Sequence, residues 1–317
     1  MPTRKEQIKA LWKAVFDDSD DFISLFFDHI YREENALTIE KDGEVLSALQ
    51  LLPYTMNYWG QEVPVAYICG VCTKPAERRK GLMPRLMDTA FSEMRRRGVA
   101  VSALIPAENW LFAYYRKMGY TEAFHYALTV YSRDEYFPPK PVCEIREADA
   151  SAYAYFSGGL ARRPLGLLHS EEDFRHILTD LKQEGGQCLL ASRADGQARG
   201  LAFARPLEQG AAGVNAVQLM DFFYEDEAVK RQLLYAAAQR FGAGKVVYRR
   251  PCTPGCMAYT YGMARVMDAE RLIPLWKAAH PDDPMKEDEL RQMSPAQRSA
   301  RLLDCDEHAA YMSLMLD

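Results

Sequence analysis

The sequence predicts a mixed α/β protein, in which helices cover the faces of a mixed β-sheet. Three observations support this fold class. Apolar residues recur at helical spacing in residues 3–16, 79–97 and 225–241, short apolar or β-branched runs lie between these segments, and turn dipeptides such as Asp42-Gly43 separate the runs. With 317 residues, of which 48% are hydrophobic, the chain is long enough to bury the cores of two domains.

The N-terminal residues predict two consecutive helices followed by a hairpin. Thr3 and Glu6 have the spacing of a capping box, which marks the start of the first helix, and Ser19 opens the second. The period of the apolar residues then changes to two. Strands are therefore expected on both sides of the Asp42-Gly43 turn, a dipeptide that favours a tight hairpin.

The next elements complete the order α-α-β-β-β-α-β-α-β. A long strand ends before Pro75, and a helix is expected to begin near Arg79 because the apolar residues after it recur at helical spacing. The long strand covers residues 63–73. Two further strands are predicted at residues 99–105 and 121–131, with a helix at about 108–117 between them.

A proline-rich stretch at residues 138–141 is typical of a stiff linker. After it, the same succession of elements recurs more faintly up to about residue 250, so the sequence indicates an internal repeat. The tail holds one apparent strand, at 263–267, and two or three short helical segments. We therefore expect three parts, at residues 1–137, 142–250 and 251–317.

Composition excludes several classes of protein. The net charge of −5 argues against a surface that coats nucleic acid, and no apolar run approaches the roughly 20 residues of a membrane helix. The N-terminus lacks the pattern of a signal peptide. Seven scattered cysteines predict reduced thiols and a cytoplasmic protein, and no histidine pair accompanies Cys252 and Cys256, so no metal site is expected.

The basic loop between the long strand and its helix is the strongest candidate for a binding site. Arg78, Arg79 and Lys80 place positive charge where the first backbone N–H groups of a helix have no partner. Gly81 lets a bulky anion approach these groups without a β-carbon in the way. The loop is therefore a candidate site for a phosphate-bearing ligand.

The corresponding junction of the repeat has the opposite charge. Residues 222–227 join a strand to a helix through Glu225, Asp226 and Glu227 and contain no glycine. Carboxylates at this position repel an anion. The second copy is therefore not expected to bind a phosphate ligand.

The motif of the first junction resembles that of the GNAT superfamily of N-acetyltransferases. Arg78, Gly81 and Met83 occupy the three places of its acetyl-CoA motif, with Met83 where a small residue is usual. The surrounding run resembles the enhanced-intracellular-survival branch, whose members join an active GNAT unit to a degenerate one and end in a sterol-carrier-protein-like domain. Only about 50 residues follow Met267. The resemblance thus implies two tandem GNAT-like domains plus a short, reduced C-terminal region.

The resemblance implies acetyl-CoA as co-substrate. Family members hold its pyrophosphate at the helix start and its pantetheine arm along the preceding strand. The matching cofactor-binding residues are Gly70, Val71, Cys72, Thr73, Arg78, Arg79, Lys80, Gly81, Leu82, Met83 and Asn109.

The resemblance also implies the catalytic residues. The segment from Asn109 to Tyr120 fits the family pattern that carries the general acid, which makes Tyr115 the donor to the departing thiolate. A phenol with a pKa near ~10 stays protonated at neutral pH and can donate to a thiolate whose conjugate acid has a pKa near ~8.5. The branch uses its C-terminal carboxylate as base, which is Asp317 here; Glu108 or a proton path shared with solvent is the alternative.

The expected activity is transfer of an acetyl group to an amine of a small molecule or peptide, by direct attack of the amine on the thioester. Nucleic acid and membrane are not expected partners, and a homo-oligomer stays open. Two alternatives remain: a CoA-binding regulatory or scaffold protein without catalysis, and a tandem-GNAT aminoacyl transferase. In the aminoacyl transferases the working site lies in the other repeat, where this chain has its acidic junction.

Overall fold

A computed structural model describes residues 2–132, 141–207, 215–253 and 255–316. Its elements in the first half of the chain are α1 (Arg4–Val15), α2 (Asp20–Leu25, continued by a π-helical turn at Phe26–Ile30), β1 (Ala36–Lys41), β2 (Glu44–Tyr58), β3 (Gln61–Thr73), α3 (Leu82–Arg96), β4 (Val101–Leu104), α4 (Asn109–Arg116) and β5 (Thr121–Ser132).

The second half contains β6 (Glu144–Glu147), α5 (Tyr153–Ala161), β7 (Leu165–Leu168), α6 (Glu171–Gln183), β8 (Gln187–Ser192), β9 (Ala198–Leu207), β10 (Ala216–Tyr224), α7 (Glu227–Arg240), β11 (Lys245–Arg250), β12 (Tyr259–Val266), α8 (Ala269–Ala279), α9 (Glu287–Gln292) and α10 (Pro295–Leu302). The mixed α/β class is confirmed. The short strands β6 and β7 were not predicted. None of the described helices is long and apolar enough to cross a lipid bilayer.

The chain divides into two compact units. The first unit comprises Met1–Phe124 and Tyr261–Ala310, and the second comprises His125–Thr260 and Tyr311–Leu316. The residues after 250 are thus shared between the two units. The division into parts at 1–137, 142–250 and 251–317 stays a prediction about domains.

The sheet of the first unit has the strand order β1-β2-β3-β4-β12. Neighbouring strands are antiparallel except β3 and β4, which are parallel. The last strand comes from the tail of the sequence, because Met263 to Val266 pair with Leu104 to Val101. Helix α3 covers one face, where Leu86, Met87 and Ala90 are fully buried in a cluster with residues of β2 and β3.

The second unit repeats this pattern. Its strands β8, β9 and β10 are antiparallel neighbours, β10 and β11 are parallel, and β11 pairs with β5 in antiparallel fashion. Helix α7 covers one face through a buried apolar stripe that includes Val229, Leu233 and Ala237. Each unit therefore has a parallel strand pair preceded by antiparallel strands.

Candidate active site

The basic loop is built by two residues in the left-handed backbone region. Arg79 has a φ of 63° and Gly81 a φ of 76°. A right-handed helix cannot contain such residues, so α3 begins at Leu82 and not near Arg79, as the periodicity had predicted. A left-handed arginine is uncommon and costs conformational energy, which is typical of backbone held for a function.

The start of α3 is open to an incoming anion. Gly81 is the N-cap residue and provides no side-chain hydrogen bond, so the N–H groups of the first turn are not capped by it. A β-carbon at Gly81 would meet no atom within 4 Å. Arg78 and Arg79 are exposed beside it, whereas Lys80 forms an ion pair with Glu77 at 3.0 Å. The loop combines N–H groups that Gly81 leaves uncapped, free space and positive charge.

Beside this loop, strands β3 and β4 separate. They pair from Val65 opposite Val101 to Ile68 opposite Leu104, where β4 ends, while β3 continues to Thr73. The edge of β3 beyond Ile68 therefore faces no partner from β4. The register between β2 and β3 also shifts at this point, which marks a β-bulge at Gly70 and Val71. A bulge re-aims backbone groups, here within the segment predicted to bind the pantetheine arm.

The side chain of Cys72 is not a candidate nucleophile. It is 2% exposed, and burial raises the pKa of its thiol to about 12. Its carbonyl oxygen accepts a hydrogen bond from Ser47 Oγ at 2.8 Å, and Ser47 Oγ also lies 2.8 Å from Thr73 Oγ1. Ser47 thus ties Cys72 and Thr73 to β2 next to the bulge.

Helix α4 places Asn109 and Tyr115 in different environments. Because β3 and β4 are parallel, the helices that follow them begin at the same edge of the sheet, and Asn109 is exposed at the first position of α4. Tyr115 is 5% exposed and shares a hydrophobic cluster with Ile68 and Leu104, the last paired residues of β3 and β4. Burial, assisted by Tyr114, raises the pKa of Tyr115 above its ordinary value of 10.0.

Of the two candidate bases, the structure describes only Glu108. Glu108 is the N-cap residue of α4, is exposed, and accepts a hydrogen bond from Trp110 Nε1 at 2.7 Å. Asp317 lies outside the described residues. Within the described residues, no group of three or more His, Cys, Asp or Glu side chains is arranged to hold a metal ion.

The equivalent helix start in the second unit is closed by its own carboxylate. Asp226 is the N-cap residue of α7, and its Oδ1 accepts a hydrogen bond from Val229 N–H at 2.9 Å. Asp226 and Glu225 also form ion pairs with Arg199. The acidic residues predicted to repel an anion thus occupy the place where one would bind.

The separation of the parallel strands in the second unit is also filled. Strands β10 and β11 pair as far as Leu219 and Tyr248, and Tyr248 Oη then donates to Phe222 O at 3.3 Å. Ser313, near the end of the sequence, donates a hydrogen bond to the buried carboxylate of Asp221. The sequence did not predict these contacts, because they join residues 26 and 92 positions apart and no local pattern indicates them.

The site thus combines an open helix start with two parallel strands that separate beside it, in a mixed sheet. Residues 2–123 match the family model described as an acetyltransferase (GNAT) domain. The match lies in the N-terminal part of the chain and covers less than half of its length, and it supports acyl transfer as the general activity.

Solved structures with the same fold cover most of the chain. A probable N-acyltransferase of unknown function from Enterococcus faecalis has a TM-score of 0.67 and 16% identity, covering 84% of this chain and 71% of its own. A GCN5-related N-acetyltransferase from Kribbella flavida has a TM-score of 0.67 and 20% identity, and the match covers 84% of this chain and 69% of that protein. Eis1 from Mycobacterium abscessus has a TM-score of 0.63 and 15% identity, and the match covers 85% of this chain and 72% of that protein. A comparison with curated protein sequences finds no significant match.

Proposed function

We propose that this protein is an acetyl-CoA-dependent N-acetyltransferase with one working site, in the first unit. The observation that carries the proposal is the contrast between two equivalent helix starts. Gly81 leaves α3 open, whereas the carboxylate of Asp226 caps α7. A pyrophosphate fits the first, because helix N-termini with uncapped N–H groups and added cations bind anions. At the second it would have to displace a hydrogen-bonded carboxylate.

The residues of the site suit the donor. The N–H groups of Leu82 and Met83 lie in the first turn of α3, and Arg78 and Arg79 supply charge; the bulge at Gly70 and the segment up to Thr73 offer backbone groups to the amide-rich arm. Acetyl-CoA supplies an activated thioester, and an amine acceptor forms the new amide bond at its carbonyl carbon.

Two protons must move during this transfer. The phenol of Tyr115 donates its proton to the departing thiolate, and the phenolate regains a proton from the protonated base or from solvent; the raised pKa of Tyr115 favours this return and keeps the hydroxyl protonated at neutral pH. The attacking amine loses a proton to a base, for which we retain Asp317, with Glu108 as the alternative. Moving the terminal carboxylate by adding two glycines after Asp317 is expected to lower turnover and leave CoA affinity intact; unchanged turnover would eliminate that carboxylate.

The finer assignments belong to the same proposal. We infer an Eis-like tandem arrangement with a reduced sterol-carrier-protein-like tail and a small-molecule or peptide amine as acceptor. We also infer a cytoplasmic location, which agrees with seven cysteines that form no disulfide. The capped helix start at Asp226 argues against the aminoacyl-transferase alternative, in which the second repeat does the work.

The test measures donor binding and transfer separately. Calorimetry should detect acetyl-CoA binding to the wild type, and replacing Arg78, Arg79 and Lys80 together by Ala should weaken it at least about tenfold, the equivalent of 1.4 kcal/mol. Arg193→Ala, an exposed arginine of the second unit, is the control. Thiol release on a panel of amines should be lowered in Tyr115→Phe. Binding without transfer to any amine would favour a non-catalytic CoA-binding protein, and no binding would refute the proposal.

A further inference from the structure

A second concave site lies in the first unit and runs from the first turn of α3 away from the basic loop. It is a groove of about 580 Å³ between α3, the turn after α4, β12 and the start of α10, which we call the α3–α10 groove. It follows α3 from Pro84 to Arg95 and reaches Lys117 beyond the end of α4. Since α3 and α4 begin at the same sheet edge, the far end of this groove lies toward the opposite edge from Asn109 and the loop.

The groove is lined by more positive than negative charge. Arg95, Arg116, Lys117 and Arg265 contribute cations, and Asp88 is the single acidic residue among its described lining residues. Arg116 is neutralised by an ion pair with Glu122. Within the part of the chain that the structure describes, neither Arg95 nor Lys117 forms an ion pair. The groove therefore carries unbalanced positive charge.

Arg265 provides the most specific feature. Its guanidinium carbon lies 4.2 Å from the centre of the Phe91 ring, and its Nη1 donates a hydrogen bond to Met118 O. Its Nε is buried and has no hydrogen-bond acceptor among the described residues. A buried N–H without a partner is costly, so such an atom calls for a ligand or an ordered water. Burial, together with the nearby Arg95 cation, lowers the pKa of Arg265. An anion in the groove would offset this destabilisation of the guanidinium charge.

The start of α10 faces the same groove. Ser294, Pro295 and Ala296 line the cavity, but this helix start offers few free donors, because Ser294 Oγ accepts the Gln297 N–H at 3.4 Å and Pro295 has no N–H; the cations are therefore the main attraction for an anion. Gly119 makes this arrangement possible. A β-carbon there would lie 2.9 Å from Pro295 Cβ, so any other residue would force the start of α10 to shift, and the φ of 82° also disfavours a side chain.

We propose that the α3–α10 groove binds a small organic anion, a phosphate or carboxylate attached to an apolar or aromatic body. The anionic group would be held by Arg265 and Lys117 with Arg95, and the body would lie against Met87 and Phe91. The volume lies in the range of small-molecule sites, which combine apolar walls with a few placed polar groups. The proposal does not depend on the acetyl-CoA site.

The experiment uses phenyl phosphate and benzoate as probes on the full chain, titrated by calorimetry with saturating CoA present. At least one probe should bind, more weakly at higher salt, while the neutral analogue benzyl alcohol should not. Arg95→Met with Lys117→Met should lower probe affinity at least tenfold; both side chains are exposed and the pair should fold normally. Arg96→Met is the matched control, because Arg96 lies next to Arg95 but is paired with Glu93 outside the groove.

The comparison of the two probes distinguishes a phosphate ligand from a carboxylate ligand. The proposal is overturned if neither probe binds at millimolar concentration, if CoA abolishes probe binding, which would assign it to the basic loop, or if the Arg95 and Lys117 variant binds as tightly as the Arg96 control.

Discussion

The indole ring of Trp12 lies directly against Gly70, so that a β-carbon at position 70 would be 2.1 Å from Trp12 Cζ3. Helix α1 thereby packs its largest side chain over the bulge of β3. The contact is tight on both sides, because Trp12 is 3% exposed and its Nε1 donates to Asp18 Oδ2 at 2.6 Å. The close approach explains why glycine stands at this position of a strand.

Gly70→Ala should destabilise the first unit. The substitution introduces a side chain at a φ of 59° and pushes it into a buried ring that a hydrogen bond holds in place. The expected loss is about 2–5 kcal/mol, roughly 1–2 from placing alanine in the left-handed backbone region and 1–3 from overpacking. Urea denaturation followed by circular dichroism measures it.

Gly98→Ala is the matched control for this experiment. Gly98 has a similar φ of 67°, but a β-carbon there would meet nothing within 4 Å, so only the backbone cost of about 1–2 kcal/mol should appear. Equal losses in the two variants would mean that the Trp12 contact contributes nothing.

Arg163→Met should strongly destabilise the second unit. Arg163 holds Asp221 in a bidentate ion pair at 2.6 and 2.8 Å, and Asp221 is fully buried. Removing the cation leaves a buried carboxylate uncompensated, which costs about 3–5 kcal/mol. The double variant Arg163→Met with Asp221→Leu should regain much of this loss, since both charges are then absent. The measurement is again denaturant unfolding.

An exposed ion pair provides the control for the buried one. Arg175 and Glu171 pair one helical turn apart on the surface of α6. Arg175→Met should cost less than about 1 kcal/mol, because water screens such pairs. If Arg163→Met lowered the free energy of unfolding by no more than this, the buried carboxylate of Asp221 would not need the Arg163 cation for stability.

The sequence predicted local features better than distant ones. The Asp42-Gly43 hairpin and the glycine before α3 are specified by neighbouring residues, and both are present. The left-handed φ of Arg79 was missed because arginine rarely adopts it. The pairing of β12 with β4 was missed as well, since Arg265 and Ser102 meet across most of the chain. Strands β6 and β7 have four residues each, too few to show a period.

Cys256 should be the first cysteine to react with iodoacetamide in the native protein. A hydrogen bond from Thr253 N–H to Cys256 Sγ at 3.4 Å lowers the pKa of that thiol, and the thiolate is the reactive form. Burial raises the pKa of Cys252 and of Cys72 to about 12. Mass spectrometry of timed alkylation at pH 8 gives the order. Cys256→Ser should remove the fast phase; a fast phase that persists would contradict the assignment.

Asp226→Ala should destabilise α7, because it removes the carboxylate that accepts the Val229 N–H bond at 2.9 Å. The expected loss is about 1 kcal/mol, the usual value of an N-cap. Asp226→Asn should lose less, since an asparagine oxygen still caps the helix while the ion pair with Arg199 is exposed and weak. Urea denaturation at pH 7 compares the two variants.

The same pair of variants carries a pH signature. The hydrogen bond from Val229 N–H lowers the pKa of Asp226 below its ordinary 3.8, and the Arg199 charge makes a smaller contribution in the same direction. A group whose pKa is lower in the folded state stabilises the protein fully above its unfolded pKa and loses that contribution as the pH falls through its folded pKa. The difference between Asp226→Ala and wild type should therefore be constant from pH 7 to about pH 5 and shrink below pH 3.8. The Asn variant isolates the charge, because its cap does not titrate; a wild-type advantage over Asn that grew on acidification would have the wrong sign for a carboxylate cap.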